Sequence, residues 1–233
     1  MIKRLQHRLG DDKGMTILMA LFAFLVAAMV AAVILAAAMS SMRQTKDNQQ
    51  HQQDMFILQS AGQLIEREML NTKIEIKDVT TYESGNAKSK ERTVSTDSST
   101  LFASQVSAAV KAMYPLGTEA PTADYSSTGS STITIAADGF SQDVEVTFVY
   151  KKPASDSATS DEKAKSEHLI FTLTTKGSVT DSSHSLIVDF NSPNESTPET
   201  TEVKNNMNVV TKSTTTKTLS WSAPNYKRVD GGK

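Results

Sequence analysis

The sequence predicts an α+β chain in which a long N-terminal helix, transmembrane and then amphipathic, packs on an antiparallel β-meander. Three observations predict it. Residues 14–42 run for 29 positions without a charge, GMTILMALFAFLVAAMVAAVILAAAMSSM. Leu58, Ala61, Ile65 and Met69 then recur at helical intervals in a stretch without proline. Further on the apolar period changes to two, as at Val144, Val146, Phe148 and Tyr150.

About 20 apolar residues in a helix cross a bilayer core, so the uncharged run is long enough to span. A secretory signal has an apolar region of about 7–15 residues before its cleavage site. Ala36-Ala37-Ala38 supplies an A-x-A pattern, but the stretch preceding it already spans. With no cysteine in the chain, a lipid-attachment cysteine is excluded as well. Lys3, Arg4, Arg8 and Lys13 outweigh Asp11 and Asp12 ahead of the span. That excess keeps the N-terminus cytoplasmic and places residues from about 43 onward outside a single-pass cell membrane. Within the span Ala23, Ala27 and Ala31 are four apart, and so are Ala28, Ala32 and Ala36. Small residues at that spacing let helix backbones approach closely in lipid.

The junction Lys13-Gly14-Met15-Thr16-Ile17-Leu18, a short basic leader followed directly by a long apolar helix, resembles a type IV prepilin or pseudopilin. The resemblance covers about residues 8–70. It implies a pilin-like fold, cleavage after Gly14 by a prepilin peptidase on the cytoplasmic side, and methylation of Met15 as the first mature residue. It also implies other pilin-like subunits as partners, and a cell-surface location in a pilus or in a secretion or competence assembly. The family's major subunits carry a glutamate at the fifth mature position, where this chain has Met19. That carboxylate is thought to neutralise a neighbour's terminal amine inside an apolar bundle, where an unpaired charge is costly. Its absence points to a minor, tip-type subunit.

On this reading residues 1–14 are the leader, 15–42 the transmembrane helix, 43–70 its extracytoplasmic continuation and 71–233 an extracytoplasmic β-rich domain. A helix from 15 to 70 would be about 84 Å long at 1.5 Å per residue. Residues 73–81 are expected as a strand and 85–99 as a polar loop. Leu101, Phe102, Val106, Val110 and Met113 mark a second amphipathic helix, with Ser98 or Ser99 as its N-cap and Pro115 and Gly117 as its stop. Residues 132–137 lead into Asp138-Gly139, a hairpin turn signal. Leu169, Phe171 and Leu173 pair with Leu186, Val188 and Phe190, after a charged linker over 151–167. Weaker strands are expected at 204–211 and 216–222.

The sequence offers little catalytic chemistry, and no catalytic residue, cofactor or metal site is expected. No G-x-S-x-G, H-E-x-x-H, P-loop or dinucleotide fingerprint occurs. Of the four histidines, His7 lies in the leader and His51 on the stalk; His168 and His184 fall at opposite ends of one expected hairpin. Two histidines without a carboxylate cluster do not make a zinc site. Asp156, Asp161 and Glu162 lack EF-hand spacing and read as a solvated linker. Net charge is 24 − 26 = −2, and removing a leader with four basic and two acidic residues leaves −4. No strong nucleic-acid signal results, although Lys204, Lys212, Lys217, Lys227 and Arg228 lie near one another in sequence. Two other functions stay open: a membrane-anchored, adhesin-like binding module with an uncleaved signal anchor, and an extracytoplasmic enzyme domain on a stalk.

Overall fold

Alanine, leucine, methionine and glutamine, all good helix formers, dominate the first element, and it contains no proline. A computed structural model of the chain describes residues 12–118, 121–127, 130–137, 140–152, 167–175, 184–191 and 193–229. In it α1 is a helix over Asp12–Leu70. Its end is set by its own sequence: Asn71 Nδ2 donates to the Arg67 carbonyl and Thr72 Oγ1 to the Glu68 carbonyl, both at 2.8 Å. These bonds satisfy carbonyls that a helix end leaves without partners. The chain divides into two compact units, Met1–Gln53 and Asp54–Lys233.

In the first unit, every residue from Thr16 to Gln49 is exposed. The most apolar 18-residue window of this helix has a mean hydropathy of 3.0. Among the described residues one helix is long and apolar enough to cross a membrane.

The second unit is α+β. Its share of α1 buries Leu58, Ala61, Ile65 and Met69, as the helical spacing predicts, together with Met55 and Ile57; Leu64, apolar and expected beside them, is instead exposed, as are Phe56 and Arg67. The remaining elements are β1 (Lys73–Glu83), β2 (Asn86–Thr96), α2 (Leu101–Met113), β3 (Tyr125–Ser126), β4 (Ser131–Ala137) and β5 (Phe140–Lys151). They continue as β6 (His168–Thr175), β7 (Ser185–Phe190), β8 (Asn194–Glu195), β9 (Glu199–Lys204), β10 (Val210–Ser220) and β11 (Asn225–Val229).

The strands form two antiparallel sheets. The expected meander is β4-β5-β6-β7, inside a sheet ordered β11-β7-β6-β5-β3 with β4 also on β5. The other sheet runs β2-β1-β10-β8, with β9 also on β10. Its central pair β1–β10 joins residues far apart in sequence, Lys73 lying opposite Ser220.

Residues 85–99 are thus not a loop: β2 pairs along β1. Its sequence NAKSKERTVST shows no apolar alternation because Asn86–Glu91 is exposed throughout, so there is no buried face to mark it. The two weak C-terminal strands are also redrawn, since residues 205–209 form the turn between β9 and β10. Asn205 fixes that turn, its side-chain oxygen accepting from the Met207 and Val209 amides at 3.0 Å. β11 was not expected; all five of its residues are exposed. The Asp138-Gly139 turn lies outside the described residues; the flanking strands pair with Ala137 opposite Phe140.

One core joins the parts. Alternate residues of β5, β6 and β7 are buried in this core, where Phe102 of α2 meets Phe171 of β6 edge-on at 5.7 Å between ring centres. Gly62 of α1 lies against Leu186 and Val188 of β7 and Tyr226 of β11.

Candidate functional site

Two regions carry the candidate chemistry: the apolar helix with its N-terminal junction, and the polar interior of the head formed by the second unit.

Gly14 and Met15 lie in helical backbone within Asp12–Leu70. Ala23, Ala27, Ala31, Ala28, Ala32 and Ala36 are all exposed. At 3.6 residues per turn the row through Ala23 and the row through Ala28 lie about 140° apart around the helix. The small residues thus form two separate faces.

In the head, Glu167 is the residue whose role sequence reasoning missed. It looked like the end of a charged linker, yet it is buried. Its carboxylate accepts from the Tyr114 hydroxyl at 2.8 and 2.9 Å and from the Tyr150 hydroxyl at 2.5 Å. Burial, reinforced by Glu167, pushes the Tyr114 hydroxyl well above its ordinary pKa; burial, then Tyr114 and Glu167, does the same for Tyr150. Both phenols therefore stay protonated and serve as donors to the carboxylate. Nothing local in the sequence signals this, since the three residues come from the end of α2, from β5 and from the start of β6.

Both ends of α2 are held by charged side chains from other elements. Thr100 occupies the N-cap position, but its hydroxyl meets Ser98 Oγ at 3.0 Å and makes no capping bond to the helix. Glu68 of α1 supplies the acceptor, its Oε1 taking the Phe102 and Ala103 amides at 2.9 and 3.1 Å. The expected serine caps, Ser98 and Ser99, lie two and one positions too early. At the other end Arg92 Nη1 donates to the carbonyls of Tyr114, Pro115 and Thr118 at 3.1, 2.7 and 2.9 Å. Its other nitrogens bind Asp78 at 2.6 and 2.5 Å. That bidentate pairing holds the guanidinium above its usual pKa against the opposing effect of burial.

Beside Arg92 lies a cavity of about 350 Å³ that also meets Lys217 and Glu195. Lys217 Nζ is 2.7 Å from Glu195 and 5.7 Å from the centre of the Tyr114 ring. Each cation faces a carboxylate, so the cavity presents little net charge, and its polar groups serve the fold. The histidines stand where expected: Leu169 opposite Phe190 and Thr174 opposite Ser185 put His168 and His184 at opposite ends of the β6–β7 pair. His168 Nδ1 lies 2.9 Å from Asp189 Oδ1. Among the described residues no group of three or more His, Asp or Glu side chains could hold a metal. Asp156, Asp161 and Glu162 lie outside the described residues, as does His7. Of the basic cluster, Lys204 and Lys217 are drawn to Glu202 and Glu195 respectively.

No protein-family model, no curated protein and no solved structure matches this chain.

Proposed function

We propose that the chain is a minor structural subunit of a type IV pilus, or of a related secretion or competence assembly. It inserts through its apolar helix with the N-terminus cytoplasmic, is processed after Gly14, and packs laterally against other pilin-like helices to present its head outside the cell. One observation carries this reading. An uncharged run of 29 residues opens directly on a basic Lys-Gly junction and belongs to a helix whose last turns, through Ile65 and Met69, enter the core of a β-rich head. A plain anchor needs neither the junction nor that continuation.

The test is N-terminal sequencing of the protein recovered from membranes of its own host. A start at Met15, with a methylated amine, supports the proposal. An intact Met1 would favour the adhesin-like module on an uncleaved anchor, and a start at Met39 would make the run a secretion signal.

A further inference from the structure

We propose that the head binds a neutral carbohydrate, through one pyranose ring, in a cavity between α2 and an edge of the sheet that holds β5. Strands β3 and β4 lie in turn along the same side of β5, with Ser126 opposite Val149 and Ser131 opposite Val146. Between them the ladder is interrupted. The Ser127 amide donates to the Phe148 carbonyl at 2.9 Å, but the Phe148 amide donates to the Ser127 hydroxyl, at 3.2 Å, rather than to a carbonyl. A cavity of about 280 Å³ opens at this break, lined by Tyr125, Ser127, Ser130, Ser131 and Phe148 and by Gln105 of α2.

Its walls are polar but uncharged. Among the described residues no Lys, Arg, His, Asp or Glu lines it. Much of the hydrogen-bonding capacity there is unspent. Gln105 Nε2 donates to Ser131 Oγ at 2.7 Å. That leaves the second N–H and the carbonyl oxygen of Gln105, and the hydroxyl proton of Ser131. Ser127 accepts from Phe148 and keeps its own proton. The hydroxyls of Tyr125 and of the exposed Ser130 bond to no other group among the described residues. One aromatic surface stands among these groups. Tyr125 stacks on Phe148 with ring centres 5.8 Å apart and planes at 26°, yet it is only half-buried, so the rest of its ring is open.

This combination selects the ligand class. An ion would lose its hydration there without meeting an opposite charge. An apolar molecule would strand the hydroxyls and the amide. A pyranose answers both parts of the wall. Its hydroxyl rim exchanges hydrogen bonds with the serines, Tyr125 and Gln105, and its C–H face lies on an aromatic ring whose face is electron-rich. The volume stands at the low end for ligand pockets, which run from roughly 300 to 1,000 Å³, and it fits one ring better than a longer chain. The site belongs to the head alone and holds whether α1 is a fibre helix or an anchor.

The test is saturation-transfer NMR on the full chain in dodecylphosphocholine micelles, a detergent without a sugar headgroup. The probes are glucose, galactose, mannose and N-acetylglucosamine, each free and as its methyl glycoside. At least one should receive saturation, most strongly at its ring C–H protons. Tyr125→Ala and Gln105→Ala should each lower the signal several-fold, and Tyr125→Phe, which keeps the ring, should lower it less. Ser130→Leu, at an exposed position, should block the cavity without moving the unfolding midpoint, which separates lost binding from lost fold. Binding of a methyl glycoside marks the ligand as the terminal unit of a glycan; binding of the free sugar alone marks it as a soluble monosaccharide. No transfer to any pyranose overturns the proposal. So does a signal that survives Tyr125→Ala or Ser130→Leu, or stronger binding of glucuronate or adenosine than of any neutral sugar. None of these readouts depends on where the N-terminus is cut, so failure here is distinguishable from failure of the pilin-like reading.

Discussion

The Tyr226 hydroxyl donates to Glu66 Oε2 at 2.5 Å, tying the last strand to α1 across 160 residues of chain. One turn earlier Gly62 makes the approach possible. A Cβ there would stand 3.1 Å from both Leu186 Cδ2 and Tyr226 Cε1. Leu186 Cδ2 ends a flexible side chain and the Tyr226 ring need give only by a few tenths of an ångström, so Gly62→Ala should be close to neutral, the crowding offset by about 1 kcal/mol of helix propensity. Gly62→Leu should cost about 1–3 kcal/mol through overpacking. Urea unfolding of the two variants checks the difference; equal stabilities would mean that α1 and β11 are not closely packed.

Glu68 is the acceptor at the start of α2 and is not replaced by any local side chain. Glu68→Ala should cost about 0.5–2 kcal/mol, the range for losing an N-cap. Thr100→Ala should cost much less, because the Thr100 side chain makes no capping bond. Comparing the unfolding midpoints of the two variants decides which residue caps the helix.

The Tyr114, Tyr150 and Glu167 cluster predicts alkaline sensitivity. In the unfolded chain both phenols titrate near pH 10, whereas the fold raises both values. A raised value means that the folded state holds its protons longer. The contribution is therefore complete below about pH 10 and is lost as the pH climbs from there toward the folded values. Thermal unfolding followed from neutral to strongly alkaline pH should show the midpoint falling beyond that point, and less steeply for Tyr150→Phe. Glu167→Ala should destabilise at every pH, at about 1–3 kcal/mol for each buried hydroxyl it leaves unsatisfied.

How far the sequence reveals this fold depends on burial. The buried positions of α1, α2 and β4 to β7 repeat at a regular period, so the helices and the meander are legible as apolar patterns. β2, β9 and β11 have no such pattern, because a strand exposed along its length needs no apolar alternation. The α2 cap and the tyrosine–carboxylate cluster are set by tertiary contacts, Glu68 reaching forward and Glu167 reaching back to residues far along the chain. Neither has a spacing to read. The Lys13-Gly14-Met15 junction is the opposite case, a local pattern whose reading rests on neighbouring residues alone.

That junction gives the fourth prediction. A peptidase that cuts after Gly14 must admit a small residue close to its own backbone. Gly14→Ala should be partly processed, and Gly14→Leu should remain uncut and accumulate in the membrane at its full length. Immunoblotting for the size shift, with mass determination of the N-terminus, reads the outcome. Normal processing of Gly14→Leu would remove the glycine from the site.

Met19 decides what kind of subunit is expected. A repeating subunit gains from a carboxylate that pairs with its neighbour's terminal amine, since an uncompensated charge buried in an apolar bundle costs about 3–5 kcal/mol. This chain has a thioether there, so each copy placed along a shaft would leave one amine without that partner. At a tip or an initiation complex the position below which that pairing is needed occurs once, and the penalty is not repeated. The chain should therefore be scarce in sheared fibres, while its deletion should reduce fibre number more than fibre composition. Met19→Glu should assemble at least as well and should spread along the shaft. Quantitative proteomics of sheared fibres from the wild type and from Met19→Glu measures both effects. If the wild-type chain proves to be the most abundant subunit there, the missing carboxylate does not set its place, and the assignment to a minor role is wrong.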